Sequence, residues 1–213
     1  MAKSKLKHFR EMDSFSNVFQ LNIELKGKWC CKVFKNQNPI TLELACGQGE
    51  YTVALSALHP KQNFIGMDVK GARIYRGAKK CLEEGRSNAA FLRGQIDHIA
   101  EYFGEGEVSE IWILFPDPFL SIPKQKKRLT SPQFLNRYKQ ILKHNSTLHL
   151  KTDSAVLYDY TLQTLKVEKC EVEFATDDLY AHPLPDPVLA TKTFYELKNI
   201  SRSETMKYIR WKM

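Results

Sequence analysis

The sequence predicts an α/β fold, a doubly wound and mostly parallel sheet that ends in an antiparallel hairpin. Three observations carry the prediction. From Ile40 onward, short apolar runs alternate with amphipathic stretches at helical spacing. The first apolar run passes through a glycine-containing turn, CGQGE (46–50), into a helix. After residue 170 the alternation gives way to strand-like segments joined by a connection carrying Pro183, Pro185 and Pro187. With 213 residues, 43% hydrophobic and 11% aromatic, the chain can bury one sizeable core, which excludes wholesale disorder.

The elements follow in order. ITLELA (40–45) reads as a buried strand, followed by a helix from about Tyr51 to Leu58. NFIGMD (63–68) is a second strand, and Ala72 to Leu82 a helix closed near Gly85. AAFLRG (89–94) is a third strand. A weak helix over 96–103 precedes SEIWILFPD (109–117), the most hydrophobic run and the expected central strand. SPQFLNRYKQILK (131–143) carries Phe134, Leu135, Tyr138, Ile141 and Leu142 at helical spacing, with Ser131 as N-cap and Pro132 at the first helical position. STLHLKTD (146–153) is a fifth strand, 154–165 a helix, and CEVEFATDD (170–178) an alternating strand. TKTFYELKNI (191–200) and ETMKYIRWKM (204–213) are expected to pair as the closing hairpin. Residues 40–213 then form the domain, with 1–39 as an appended basic arm carrying Lys3, Lys5, Lys7 and Arg10.

The net charge of +8 comes from 32 Lys and Arg against 24 Asp and Glu, and it is concentrated. Between Asp117 and Asp153 there is no acidic residue, while Lys124, Lys126, Lys127, Arg128, Arg137, Lys139, Lys143 and Lys151 supply eight cations. Such a block points to a polyanionic partner, nucleic acid or phosphate. No apolar run reaches the length of a membrane span, and the N-terminus lacks the apolar stretch of a secretory signal. Five cysteines without a CxxC pair fit a reducing, cytoplasmic setting and no zinc site. The histidines show no metal spacing, and His149 reads as a hydrogen-bonded core residue. Cys46 reads as a small wall residue, Cys30-Cys31 as a buried pair in the arm, and Tyr195 and Trp211 as packing.

Ligands of such sheets bind beyond the carboxyl ends of the strands. Those ends hold Glu43 to Gly49, Asp68, Gln95 to Asp97, Asp117 and Thr152-Asp153. Gly47 and Gly49 supply the first two positions of a dinucleotide fingerprint, but Thr52 stands at the third, and Glu43 just before the turn would repel a diphosphate if it faced the site. A turn with a neighbouring carboxylate suits S-adenosyl-L-methionine, which carries a sulfonium and an ammonium and no phosphate. Asp68, ending the second strand, can accept hydrogen bonds from both ribose hydroxyls. In FPDPF (115–119) two prolines fix a rigid strand exit that holds Asp117 at the crevice mouth, with Phe119 available to stack on a base.

LELACGQGEY, NFIGMDVKGARI, SEIWILFPDPF with its basic run, RLTSPQFLNRYKQILK, LHLKTD and TFYE together resemble the tRNA (guanine-N7)-methyltransferase family over roughly residues 40–200. The resemblance implies a Rossmann-like class I methyltransferase fold and methylation of the guanine at position 46 in the variable loop of tRNA. It puts Glu43, Asp68, Gln95 and Asp117 on cofactor positions; Gly47 and Gly49 of the turn complete the expected cofactor set, and Asp117 is also the expected catalytic residue. Asp153 and the stretch Thr193 through Glu196, with Thr193 and Glu196 as the candidate contacts, fall on substrate positions. Ser121 stands where a substrate-binding lysine is expected, and Lys124 is its candidate replacement. The chain departs from the family by having Ala45 in place of glycine, Gln95 in place of aspartate and Phe119 in place of tryptophan.

Guanine N7 is an unprotonated acceptor, so its methylation requires no side-chain base. Alignment of nucleophile, methyl carbon and sulfur is the main task. A carboxylate, Asp117 or Asp153, would stabilise the positive charge the purine gains. The partners expected are tRNA, no membrane and no metal, with the protein a monomer or homodimer. Two alternatives remain at this level: another nucleobase methyltransferase on the same fold, or a noncatalytic RNA-binding protein on a degenerate scaffold, which Ala45 and Gln95 would support.

Overall fold

The computed structural model describes residues 8–200 and 205–213; Lys3, Lys5 and Lys7 of the expected arm, and residues 201–204 of the expected hairpin, lie outside them. The strands are β1 (Val18–Gln20), β2 (Ile40–Leu44), β3 (Asn63–Asp68), β4 (Ala89–Arg93), β5 (Val108–Leu114), β6 (Leu142–Thr152), β7 (Glu171–Thr176) and β8 (Lys207–Lys212). They form one sheet in the order β1-β4-β3-β2-β5-β6-β8-β7. Pairing is parallel from β1 to β6, and β8 runs antiparallel between β6 and β7. The helices are α1 (Glu50–Leu58), α2 (Gly71–Glu83), α3 (Ile99–Tyr102), α4 (Pro132–Lys139), α5 (Ala155–Val167) and α6 (Phe194–Ile200). From β2 the chain moves outward through β3 and β4, then crosses to β5 and β6 on the other side. The strand order therefore reverses between β2 and β5, where a crevice opens at the carboxyl ends.

Side-chain alternation divides the core between the two faces. Ile111 and Ile113 of β5 join Leu148 and Leu150 of β6 on one face, with Trp29, Phe134 and Tyr138 packed over them. Trp112 and Leu114 join Tyr51, Phe64 and Tyr208 on the other. Full burial of each such side chain contributes about 1.5–3 kcal/mol. His149 lies on this second face, stacked 3.7 Å from Trp112, with Nε2 at 2.8 Å from Glu110 and Nδ1 at 2.7 Å from the Tyr208 hydroxyl. It is a hydrogen-bonded core residue, as the sequence suggests, and Trp211 is fully buried.

Several expectations change. The closing antiparallel pair is β7 with β8, and TKTFYELKNI contributes helix α6 instead of a strand. A Thr-x-x-Glu start explains this, because the Thr193 hydroxyl accepts from the Glu196 amide (3.1 Å) at the helix N-terminus. The helix expected over 131–143 stops at Lys139, and Leu142 begins β6. Ile141 and Leu142 satisfy helical periodicity but are buried by the sheet, where the Val108 amide donates to the Ile141 carbonyl (3.0 Å). Ser131 does occupy the N-cap, with Pro132 following, but its hydroxyl donates to the Lys126 carbonyl (3.0 Å) instead of accepting from a helix amide.

Part of the stretch set apart as an arm packs on the domain. β1 extends the sheet beside β4, and Trp29 is fully buried against Phe103, its indole donating to the Tyr102 carbonyl (2.9 Å). Cys30 is half-buried and Cys31 exposed, so they are not a buried pair.

Candidate active site

The turn after β2 is set by backbone conformation. Ala45, Gly47 and Gly49 all adopt the left-handed region (φ +55°, +57° and +73°), which folds residues 45–49 back over the sheet end into α1. A Cβ on Gly49 would sit 2.5 Å from the Phe91 ring, so glycine is required there by space as well as by φ. Alanine at 45 holds the same left-handed conformation at a cost of about 1–2 kcal/mol, which is the physical reason glycine suits that position. The Asp68 carboxylate fixes the turn from β3. One oxygen accepts from the Gly47 amide (3.0 Å) and the other from the Lys70 amide (2.7 Å), leaving lone pairs on both for a ligand's hydroxyls.

Glu43 is buried at the end of β2, where one carboxylate oxygen accepts from the Thr52 amide (2.7 Å) and hydroxyl (2.5 Å). Burial pushes its pKa up to about 8; the two Thr52 hydrogen bonds pull against that shift, and Glu50 and Asp68 add to it. The buried Cys46 lies beside it as a wall residue.

The opposite side of the crevice is the exit from β5. Phe115 and Phe119 adopt left-handed conformations (φ +48° and +41°) on either side of Pro116, Asp117 and Pro118. The Phe119 amide donates to the Asp117 carboxylate (3.0 Å). Arg128, expected on the basic surface, is instead 1% exposed. Its Nε donates to the Pro118 carbonyl (2.8 Å), its Nη2 to the Phe119 carbonyl (3.1 Å), and its guanidinium lies 4.3 Å from the Tyr160 ring centre on α5. The guanidinium thus clamps the loop that carries Asp117 and offers no charge to a ligand outside.

The last wall is the start of α6. Thr193 is buried at the crevice, whereas Glu196 is fully buried behind it. Both Glu196 oxygens lie 2.8 Å from the Lys151 ammonium, and the Tyr180 hydroxyl donates to the same carboxylate. Lys151 also donates to the Tyr51 hydroxyl (3.1 Å), the Tyr180 hydroxyl (3.0 Å) and the Leu189 carbonyl (3.2 Å). Burial lowers the Lys151 pKa and the Glu196 charge opposes that shift. A cation inside the apolar strand LHLKTD is the sequence signal for this buried pair.

Two adjoining cavities fill the crevice. The larger, about 660 Å³, is lined by Asp68, Gln95, Ile96, Asp117, Phe119 and Phe134, with Lys126 and Lys127 at its edge. The smaller, about 540 Å³, is lined by Glu43, Gly47, Asp68, Asp117, Asp153 and Thr193. Asp68 and Asp117 line both. Ser121 and Lys124 are exposed on the neighbouring turn and line neither cavity. Tyr195 is not strand packing: it is 42% exposed on α6, lines the smaller cavity and has the Arg73 guanidinium 5.9 Å from its ring centre.

The basic block does not form one surface. Lys124, Lys126 and Lys127 are exposed on the turn Ile122–Lys127, while Arg128 and Lys151 are buried. Arg137 pairs with Asp97 (3.4 Å) and Lys139 with Glu168 (3.7 Å), and Lys143 sits at the far end of β6. Among the described residues, no cluster of His, Cys, Asp or Glu could hold a metal ion, and no helix is long and apolar enough to cross a membrane.

Residues 37–208 match a family model described as "Putative methyltransferase". A Christiangramia forsetii protein named tRNA (guanine-N(7)-)-methyltransferase is 47% identical, covering 100% of this chain and 99% of its own length. A Bacteroides fragilis protein of the same name is 45% identical over 99% of this chain and 86% of its own. Among solved structures, the 16S rRNA methyltransferase KamB aligns with a TM-score of 0.65 at 11% identity, covering 85% of this chain and 91% of that one. A SAM-dependent methyltransferase from Aquifex aeolicus aligns at 0.56 and 14% identity, over 89% and 95%. At these identities the structural likeness is one of fold.

Proposed function

The chain belongs to the tRNA (guanine-N7)-methyltransferase family, and we propose that the crevice between β2 and β5 is where it transfers the methyl group of S-adenosyl-L-methionine to guanine N7 of tRNA. The target we assign is the guanine at position 46 of the variable loop. The setting is the cytoplasm and the active form a monomer or homodimer.

The observation that carries the site assignment is the sharing of Asp68 and Asp117 between the two cavities. The residues fit the cofactor. Asp68 keeps lone pairs for ribose hydroxyls, Gln95 offers an amide to adenine in a cavity with apolar walls at Ile96 and Phe134, and Gly47 and Gly49 let the turn approach closely. Glu43, held nearly neutral at pH 7 by burial, becomes a favourable neighbour once an ammonium stands beside it. The cofactor supplies an electrophilic methyl group on a sulfonium.

The cofactor's amino-acid end reaches the Glu43 and Gly47 side of the smaller cavity, and the guanine takes the side walled by Asp153 and Thr193. N7 attacks through a free lone pair, so no residue has to remove a proton from it. Asp117 holds its carboxylate where the two ligands meet and favours the positive charge that develops on the purine, while Asp153 accepts from the base edge. Lys124 and Ser121, outside both cavities, are assigned to the RNA flanking the target base.

Nucleoside mass spectrometry of unmodified tRNA incubated with the protein and labelled S-adenosyl-L-methionine tests the reading. Labelled 7-methylguanosine is expected; a different labelled nucleoside would replace the substrate claim. Asp117→Ala is expected to lower kcat at least about a hundredfold with the fold intact. Near-normal turnover in that variant would remove Asp117 from the reaction.

A further inference from the structure

The cations on the wall of the smaller cavity do not come from the basic run. They are Lys70 and Arg73, at the start of α2, whereas Lys126 and Lys127 edge the larger cavity. The α2 cations continue away from the crevice. Lys70, Arg73, Arg76 and Lys80 recur every three or four residues, which puts them on one side of the helix. Arg76 and Lys80 then line a second groove, about 410 Å³, together with Arg86 and Lys192. Glu50, at the start of α1, lines both the smaller cavity and this groove, so the two adjoin.

The groove keeps a cationic excess after its own ion pairs are considered. Glu84 pairs with Arg86 (2.5 Å) and with Lys80 (3.8 Å), and Glu50 is the carboxylate in the groove wall. Arg76 has a neutral partner, its Nη1 donating to the Gln48 side-chain carbonyl (3.1 Å). Lys192 lies 5.0 Å from the Tyr180 ring centre and is exposed. Arg76 and Lys192 therefore retain charge directed at solvent, with Lys80 only loosely engaged.

We propose that this groove, between α1, α2 and Lys192, is a contact surface for the sugar-phosphate backbone of the tRNA, continuing the path from the smaller cavity along α2. It rests on the tRNA reading above and adds a surface that the charge distribution of the sequence does not reveal, because outside the basic run the cations and carboxylates balance. A base seated in the smaller cavity has Lys70 and Arg73 on the wall beside it, whereas Lys124 lines neither cavity. Phosphate contacts of this kind fix register without reading sequence.

The test is the combined variant Arg76→Gln, Lys80→Gln, Lys192→Gln in the full chain, beside wild type and a second variant, Lys124→Gln, Lys126→Gln, Lys127→Gln. Affinity for an unmodified tRNA transcript is measured across a salt series, with S-adenosyl-L-methionine affinity and 7-methylguanosine formation followed in parallel. Each lost phosphate contact should shrink the slope of log affinity against log salt by about 0.7–0.9, so the α2-side variant should lose about two units of slope and weaken tRNA binding about tenfold or more near 0.15 M salt. Its cofactor affinity should match wild type, because none of the three residues lines either crevice cavity. An unchanged slope and tRNA affinity, with wild type still forming 7-methylguanosine, would overturn the groove and leave the function standing. Wild type that neither binds nor methylates tRNA would overturn both.

Discussion

Asp68 and Asp117 line both cavities of the crevice, but their surroundings are built differently. Asp68 is held by two backbone amides, of Gly47 and Lys70, at most 21 residues away in the chain, within a turn whose path is dictated by three left-handed residues. Asp117 sits on a loop pinned by the buried guanidinium of Arg128, and the wall beyond it is anchored by the Lys151–Glu196 pair, residues 45 positions apart. The proposed cofactor side rests on backbone conformation and backbone amides; the proposed substrate side rests on buried charged side chains. Rigid local geometry tolerates few substitutions at glycine positions, whereas an anchored wall depends on a handful of buried polar groups whose loss is severe.

Breaking the Lys151–Glu196 anchor gives the largest expected effect. Lys151→Met leaves a carboxylate buried without its cation and should destabilise the fold by about 3–5 kcal/mol in denaturant melts. Adding Glu196→Leu should restore part of that loss, since the unpaired charge is then gone. A single variant as stable as wild type would mean the pair does not anchor the wall.

Loosening the Arg128 clamp sharpens the contrast further. Lysine keeps the charge, but one ammonium cannot reproduce the forked donation to Pro118 and Phe119 together with the stack on Tyr160. Arg128→Lys is expected to lower kcat about tenfold, near 1.4 kcal/mol in barrier, with a smaller change in tRNA KM. Equal kcat values for wild type and variant would separate the clamp from the placement of Asp117.

A third test probes the proposed cofactor side. Burial puts the Glu43 pKa near 8 in the fold against 4.5 for the free side chain. Across that window the folded chain holds a proton that the unfolded chain has released, so stability of the ligand-free protein should fall as pH rises from about 4.5 to 8 and level off above. Glu43→Gln should flatten this contribution, read as a difference in melting temperature between variant and wild type that grows with pH. Parallel pH profiles would place the ordinary carboxylate pKa back on Glu43.

Much of the proposed cofactor side was legible in the sequence. The strand ends at Glu43, Asp68 and Asp117, the glycine turn and the alternation of strands with helices all follow from patterns a few residues long, and β3 coincides with the expected 63–68. The basic run was legible as composition but not as a surface. Adjacent cations point in different directions from a turn, so Lys126 and Lys127 edge a cavity while Arg128 is buried one residue later. Tyr195 and α6 were misread because a short apolar segment can satisfy either period, although Thr193 and Glu196 carried a helix-start signal.

Local sequence by itself determined the parallel sheet, the glycine turn and the carboxylates at the strand ends, because backbone conformation and side-chain alternation act over a few residues. Tertiary structure alone decided which cations are buried anchors and which meet solvent, which strand pairs with β8, and which side of α2 adjoins the smaller cavity. Those outcomes depend on contacts between residues far apart in the chain. For a buried charge, the cost of desolvation is offset only where such a contact supplies a partner, as Glu196 does for Lys151.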